Sequence, residues 1–173
     1  MGANFLLIFD ASGSMHGKWG EKIESANQAA SNLLEGLKTL VPEPELAIIT
    51  FGDVTDMQDF TPVSQIRLET YKAQGKSPLD TAATLASAIA SRDVITVLIS
   101  DGTPGENFLL KTPLDGPAYA IAIGADADKE MLARFTGNDT RVLPPYAAFD
   151  FPGYALGVAS FGHNWAQPIS LRS

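Results

Sequence analysis

Asp10, Ser12 and Ser14 alternate along the segment Asp10-Ala11-Ser12-Gly13-Ser14. A turn with this spacing aims one carboxylate and two hydroxyls into one small volume. Oxygen donors held that closely favour a hard divalent cation between them. Two later segments offer the same chemistry. Gly75-Lys76-Ser77-Pro78-Leu79 carries a third hydroxyl at a turn that enters a helix, and Ser100-Asp101-Gly102 carries a second carboxylate. Asp10, Ser12, Ser14, Ser77 and Asp101 together supply two carboxylates and three hydroxyls. Mg2+ takes such donors, keeps several waters and demands near-octahedral geometry; Mn2+ and Ca2+ accept the same oxygens. With few direct negative charges, the ion stays under-neutralised and attracts a carboxylate from outside.

The elements that must position these groups follow from hydrophobic patterning. Phe5 to Phe9 is a continuous apolar run, as in a strand covered on both faces. From Glu21 to Leu40, Ile23, Ala26, Ala30, Leu33, Leu34, Leu37 and Leu40 recur at three and four, which predicts one apolar helix face. Pro42-Glu43-Pro44 stops that helix. Leu46 to Phe51 reads as a buried strand, and the more polar Met57 to Val63, with Pro62, as an edge strand. A helix is predicted from Pro78 to about Ser91, capped by Ser77 or nearby, then buried strands over Val94 to Ile99 and Ala118 to Ile123. Asp126 or Asp128 opens a short helix through Phe135, and Phe149 to Phe161 suits a broken helix or irregular segment.

This alternation predicts an α/β fold, Rossmann-like and doubly wound. A mostly parallel central sheet has one antiparallel edge strand and helices on both faces. Such folds bind ligands beyond the carboxyl ends of their strands, near a topological switch point. Asp10 to Ser14 and Asp101 both fall at that edge. One domain is expected over 1–165, with 166–173 a flexible tail.

Among 173 residues, twelve are basic and twenty acidic, a net charge of -8. That balance argues against nucleic acid and anionic membranes as partners and suits cations or a basic surface. The chain has no cysteine, which removes disulfides and thiolate metal sites and fits a reducing compartment. No apolar stretch reaches transmembrane length and no charged leader precedes Phe5, so a cytoplasmic location is expected.

The three oxygen-bearing segments, in this order, resemble the von Willebrand factor type A (VWA) domain. Its metal-ion-dependent adhesion site (MIDAS) is written D-x-S-x-S, then a threonine, then an aspartate. Here the first element is Asp10-Ala11-Ser12-Gly13-Ser14 and the last is Asp101. Gly75-Lys76-Ser77-Pro78-Leu79 stands where bacterial members often read G-G-T-P-L, so Ser77 replaces the usual threonine. The hydroxyl is kept, but the methyl that fixes its rotamer is lost. Lys76 is a second departure, placed to compete with a metal for nearby carboxylates. Ile48-Ile49-Thr50-Phe51-Gly52, Ala120-Ile121-Ala122-Ile123-Gly124 and Arg134-Phe135-Thr136-Gly137 are similar to compact bacterial members of the tellurite-resistance type. The resemblance covers nearly the whole chain. It implies direct metal contact by Ser12, Ser14 and Ser77, with Asp10 and Asp101 acting mostly through water. It also implies a non-enzymatic adaptor in multi-protein assemblies, including stress-response systems, whose protein partner donates an Asp or Glu carboxylate to the metal. The rim would run over Met15 to Trp19, Asp53 to Phe60 and Thr103 to Phe108. Trp19 and Phe108 sit on these loops, where most such aromatics pack back on the domain and a minority form an apolar rim for a partner.

Other readings use the same residues. Asp10 could be the nucleophile of a Mg2+-dependent phosphatase or phosphotransferase, although such enzymes want a second acid where Ser12 stands. Alternatively the site has lapsed, as Ser77 and Lys76 would favour, leaving a metal-independent interaction domain. Gly75-Lys76-Ser77 lacks the upstream glycine of a phosphate loop, since Thr70 stands there. Asp126-Ala127-Asp128 lacks the glycine and distal glutamate of a calcium loop, so helix capping is its expected role. His16 and His163 have no metal-spaced partner, and no G-x-S-x-G elbow accompanies His16 near Ser14.

Overall fold

The computed structural model describes residues 2–75, 86–89, 93–103 and 116–157. Six strands form one sheet: β1 (Asn4–Asp10), β2 (Glu45–Phe51), β3 (Thr55–Pro62), β4 (Val94–Ser100), β5 (Ala118–Ala122) and β6 (Val142–Leu143). Their order is β3-β2-β1-β4-β5-β6. All neighbouring pairs are parallel except β2 with β3, so the antiparallel strand is at the edge. After β1 the chain builds β2 and β3 on one side, then crosses to β4 on the other. The switch point therefore lies between β1 and β4, above Asp10 and Asp101.

β1 is apolar throughout because both its faces are covered. Phe5, Leu7 and Phe9 meet the helix α1 (Glu21–Lys38), through Ala26, Ala30, Leu33 and Leu37. Leu6 and Ile8, on the opposite face, belong to a second apolar cluster that also holds Ala86 and, from α2 (Lys129–Thr136), Leu132 and Phe135. Fully burying each such side chain contributes about 2 kcal/mol. The first layer is closed by the short helix α3 (Phe151–Ala155), whose Phe151 lies edge-on to Phe5 and Tyr119. Residues 86–89 are helical, within the span predicted to be a helix; the rest of that span, the tail and Phe161 lie outside the described residues.

Of the two aspartates proposed as caps, Asp128 opens α2 by accepting a hydrogen bond from the Met131 amide at 3.0 Å. β6 has no sequence counterpart in our reading: two residues carry no periodicity, and pairing with Ala120 and Ile121 alone defines them. Gly36 is the contact point between α1 and the chain ahead of α3, since a Cβ there would overlap the Phe149 carbonyl. Gly36→Ala is expected to cost about 2 kcal/mol through overpacking. Urea unfolding measures this, and a variant as stable as wild type would show that the two segments separate freely.

Candidate metal centre

β1 stays in the ladder through Asp10, and the Ala11 amide still donates to the Phe51 carbonyl at 2.7 Å. The chain then turns into a 3-10 turn over Gly13–His16. Met15 fastens this turn by filling the core completely, while Gly13 is exposed and Ser14 half-buried. Ser12 and Ser14 are thus brought to one side, above a wholly buried Asp10.

Asp10 is saturated with donors. Its Oδ1 accepts from the Ser12 amide at 2.9 Å and the Ser12 hydroxyl at 2.6 Å. Its Oδ2 accepts from the Ser100 hydroxyl at 2.6 Å. Ser100 in turn accepts from the Gly102 amide at 2.9 Å. A carboxylate this enclosed has no free approach for an electrophile, which weighs against a nucleophilic role. Because the Ser12 hydroxyl donates to Asp10, the lone pairs of its Oγ remain available on the other side. Ser14 Oγ stands 3.3 Å from Ser12 Oγ and 3.5 Å from Asp101 Oδ1. Octahedral Mg2+ ligands stand about 3 Å apart along an edge, so these three oxygens already approximate one side of such a shell.

Burial raises the Asp10 carboxyl from 3.8 to about 6, against the lowering effect of the bonds from Ser100 and Ser12; nearby Asp101 adds to the rise. The donors present do not fully offset the cost of an ionised group at this depth. A cation beside it would. Among the described residues no three His, Cys, Asp or Glu side chains gather into a cage, so the centre is one of hydroxyls with two carboxylates. This donor set fits a hard divalent ion.

Asp101 is also wholly buried. Its Oδ1 accepts from the Thr103 amide at 2.9 Å, and its Oδ2 is paired with Lys22 Nζ at 3.3 Å. Lys22 reaches this point from the first turn of α1 and also pairs with the exposed Asp126 at 2.9 Å. Neither Lys22 nor Ser100 was expected in the site. Ser100 adjoins Asp101 and was available to inspection. Nothing local marks Lys22, which lies 79 positions from Asp101.

Ser77 and Lys76 lie outside the described residues. The chain leading to them is docked on the site. The Gly13 amide donates to the Gly75 carbonyl at 3.0 Å, and the Gln74 amide to the Ala11 carbonyl at 2.9 Å. Gly75 has φ +84, and a Cβ there would stand 2.5 Å from Asp53 Cα, so only glycine permits this approach. Exposed His16 donates from Nδ1 to the Gly17 carbonyl at 2.9 Å. Trp19 is 82% exposed and Val54 66%, both on loops at the site's edge of the sheet. The Trp19 and Lys18 amides donate to the Glu21 carboxylate, which fixes that loop. Phe108 lies outside the described residues.

No protein-family profile matches the chain, and no curated protein matches it in sequence. Solved structures do match in fold. An aerotolerance-related membrane protein from Bacteroides fragilis superposes with a TM-score of 0.62 at 14% identity, over 91% of this chain and 100% of that one. The ArnB paralog VWA2 from Sulfolobus acidocaldarius gives 0.60 at 20% identity, over 86% of this chain and 43% of that one. Proximal thread matrix protein 1 from the mussel byssus, with zinc in its MIDAS motif, gives 0.53 at 12% identity, over 88% and 45%. The fold is that of the VWA domain. No helix among the described residues is long and apolar enough to cross a membrane.

Proposed function

We propose that this VWA-fold domain is a metal-dependent protein-binding module without catalytic activity of its own. Ser12 and Ser14 hold a divalent cation, Mg2+ in the first place, with Ser77 as the third hydroxyl and Asp10 and Asp101 beneath or beside it. The observation that carries this reading is the row Ser12 Oγ, Ser14 Oγ and Asp101 Oδ1 at 3.3 and 3.5 Å, above an Asp10 that accepts the hydrogen bond of the Ser12 hydroxyl. The zinc-occupied MIDAS of the byssus protein supports a divalent ion in this fold. The ion would act as a Lewis acid, drawing an Asp or Glu side chain from a partner protein. Exposed Trp19 and Val54 then supply apolar contact beside that carboxylate. On this reading the chain serves as an adaptor in a cytoplasmic assembly, in keeping with the absence of cysteine. A role in stress response, as in the tellurite-resistance type, belongs to the same proposal.

Ser14→Ala is the cleanest test. The Ser14 hydroxyl is half-buried and, among the described residues, makes only the two long contacts above, so its loss costs the fold little. Calorimetric titration with Mn2+ should show affinity at least tenfold lower in the variant, the effect of one hydroxyl ligand, or about 1.4 kcal/mol. Equal affinity would remove Ser14 from the site. Capture from native lysate should retain a partner with wild type, and lose it both with EDTA and with Ser14→Ala.

A further inference from the structure

We propose that Lys22 is the site's own tethered cation: it neutralises Asp101 when no metal is present and weakens divalent-ion binding when metal arrives. The inference rests on the metal reading above and adds to it a residue of this chain that sets affinity.

Three observations place Lys22 there by construction. Its ammonium pairs with Asp101 Oδ2 at 3.3 Å, while Asp101 Oδ1 faces Ser14. A single carboxylate is thus shared between the hydroxyl row on one side and a lysine on the other. Second, the lysine stem and the Asp126 carboxylate both pass close over residue 124, a glycine. A Cβ there would stand 2.8 Å from Asp126 Oδ1 and 2.9 Å from Lys22 Cε, and φ is +90. Third, Asp126 lies beyond, 72% exposed, and pairs with the same ammonium at 2.9 Å. The Lys22 side chain is only 12% exposed. Burial pulls its pKa down, but the bonds and charges of Asp126 and Asp101 outweigh this and keep it protonated.

A fixed positive charge on the back of Asp101 has two effects. It removes the need for a metal to hold that buried carboxylate, so the empty site stays folded. It also repels an incoming divalent ion across one carboxylate group, and the repulsion is strong because the region is screened poorly. Asp126 gives the ammonium a second partner toward solvent, so it can lean outward without being stranded. The affinity of the site is then kept low enough for the ion to depend on a partner's carboxylate for full retention.

Lys22→Met tests this, since methionine keeps the stem beside Gly124 and drops the charge. Mn2+ titration should show about tenfold tighter binding than wild type. In EDTA the variant should melt about 5 °C lower, because Asp101 loses its counter-charge, and saturating Mn2+ should close that gap. Lys22→Met combined with Asp101→Asn should melt in EDTA close to wild type. Unchanged or weaker Mn2+ binding in the single variant would overturn the proposal. So would an unaltered melting temperature in EDTA, or no recovery in the double variant, which would place the loss in packing. If wild type and Lys22→Met both fail to bind Mn2+, the metal reading falls with it. If only Lys22→Met binds, the metal-dependent function of the wild-type chain falls, while the lysine's opposition to the ion stands.

Discussion

Asp10→Ala abolishes Mn2+ binding and destabilises the domain, whereas Asp10→Asn abolishes binding alone; this is the largest pair of effects we expect. Alanine strands the Ser12 amide, the Ser12 hydroxyl and the Ser100 hydroxyl in a buried place. Three orphaned donors cost about 3 kcal/mol in total, seen in full near pH 4 where the folded Asp10 is neutral and partly offset at pH 7 by relief of the buried charge. Asparagine keeps the shape and one acceptor oxygen, and its amide can donate to Ser100. It also avoids burying a charge, so its stability at pH 7 should equal or exceed that of wild type. Both variants should lose at least a hundredfold in Mn2+ affinity by calorimetry. Retained affinity in either would remove Asp10 from the centre.

The pH dependence separates the two forms further. The folded pKa of Asp10, about 6, lies above the unfolded 3.8. Between those values the folded state binds more protons than the unfolded one. Asp10's protonated form therefore contributes stability that is fully present below about pH 4 and lost as pH rises through about 6, amounting to about 3 kcal/mol. In chelator, wild type minus Asp10→Asn should trace that window in urea unfolding from pH 4 to 7.5. With Mn2+ the direction reverses, because the ion favours the carboxylate. Apparent affinity should fall about tenfold per pH unit below 6. A flat difference curve would show that burial does not tax the ionised form.

Ser100→Ala is the second large effect. Ser100 is 2% exposed at the last position of β4 and serves both neighbours, donating to Asp10 Oδ2 and accepting from the Gly102 amide. Its removal leaves a buried carboxylate oxygen and a buried amide unpaired, about 3 kcal/mol. The Asp10 carboxyl loses its strongest lowering partner and rises further. Mn2+ affinity at pH 7 should therefore drop about tenfold although Ser100 touches no ion. Ser100→Thr, which keeps the hydroxyl, should recover most of that loss. Thermal unfolding and Mn2+ titration measure both, and an unaltered Ser100→Ala would limit the role of the residue to ending the strand.

The sequence shows the sheet well because its cause is local. Five consecutive apolar residues at Phe5 to Phe9 require cover on both faces, and the helix and strand periods that follow supply it. Asp10, Ser12 and Ser14 are legible for a similar reason: their alternation at the end of a strand suits a turn that gathers them, and the turn anchored by Met15 does so. Asp101 needs one further step, that β1 and β4 are adjacent, which the sheet order shows and α/β alternation alone does not fix. Lys22 needs a contact across 79 positions, and nothing in the residues around it marks that contact. β6 was missed because two residues contain no period. Ser77 rests on the resemblance and on the docking of Gln74 and Gly75, three and two residues before it.

The position of β1 has a mechanical consequence. A partner that pulls on Ser12 and Ser14 loads β1 along its own axis. That strand is held to β2 by the register Asn4↔Glu45 to Asp10↔Phe51 and to β4 by Asn4↔Val94 to Phe9↔Ile99. Drawing it out means shearing both ladders together, with many hydrogen bonds sharing the load at once. Traction on the edge strand β3 would instead peel one ladder from its end, a pair at a time. Tension applied through the proposed centre therefore enters the sheet along its stiffest line.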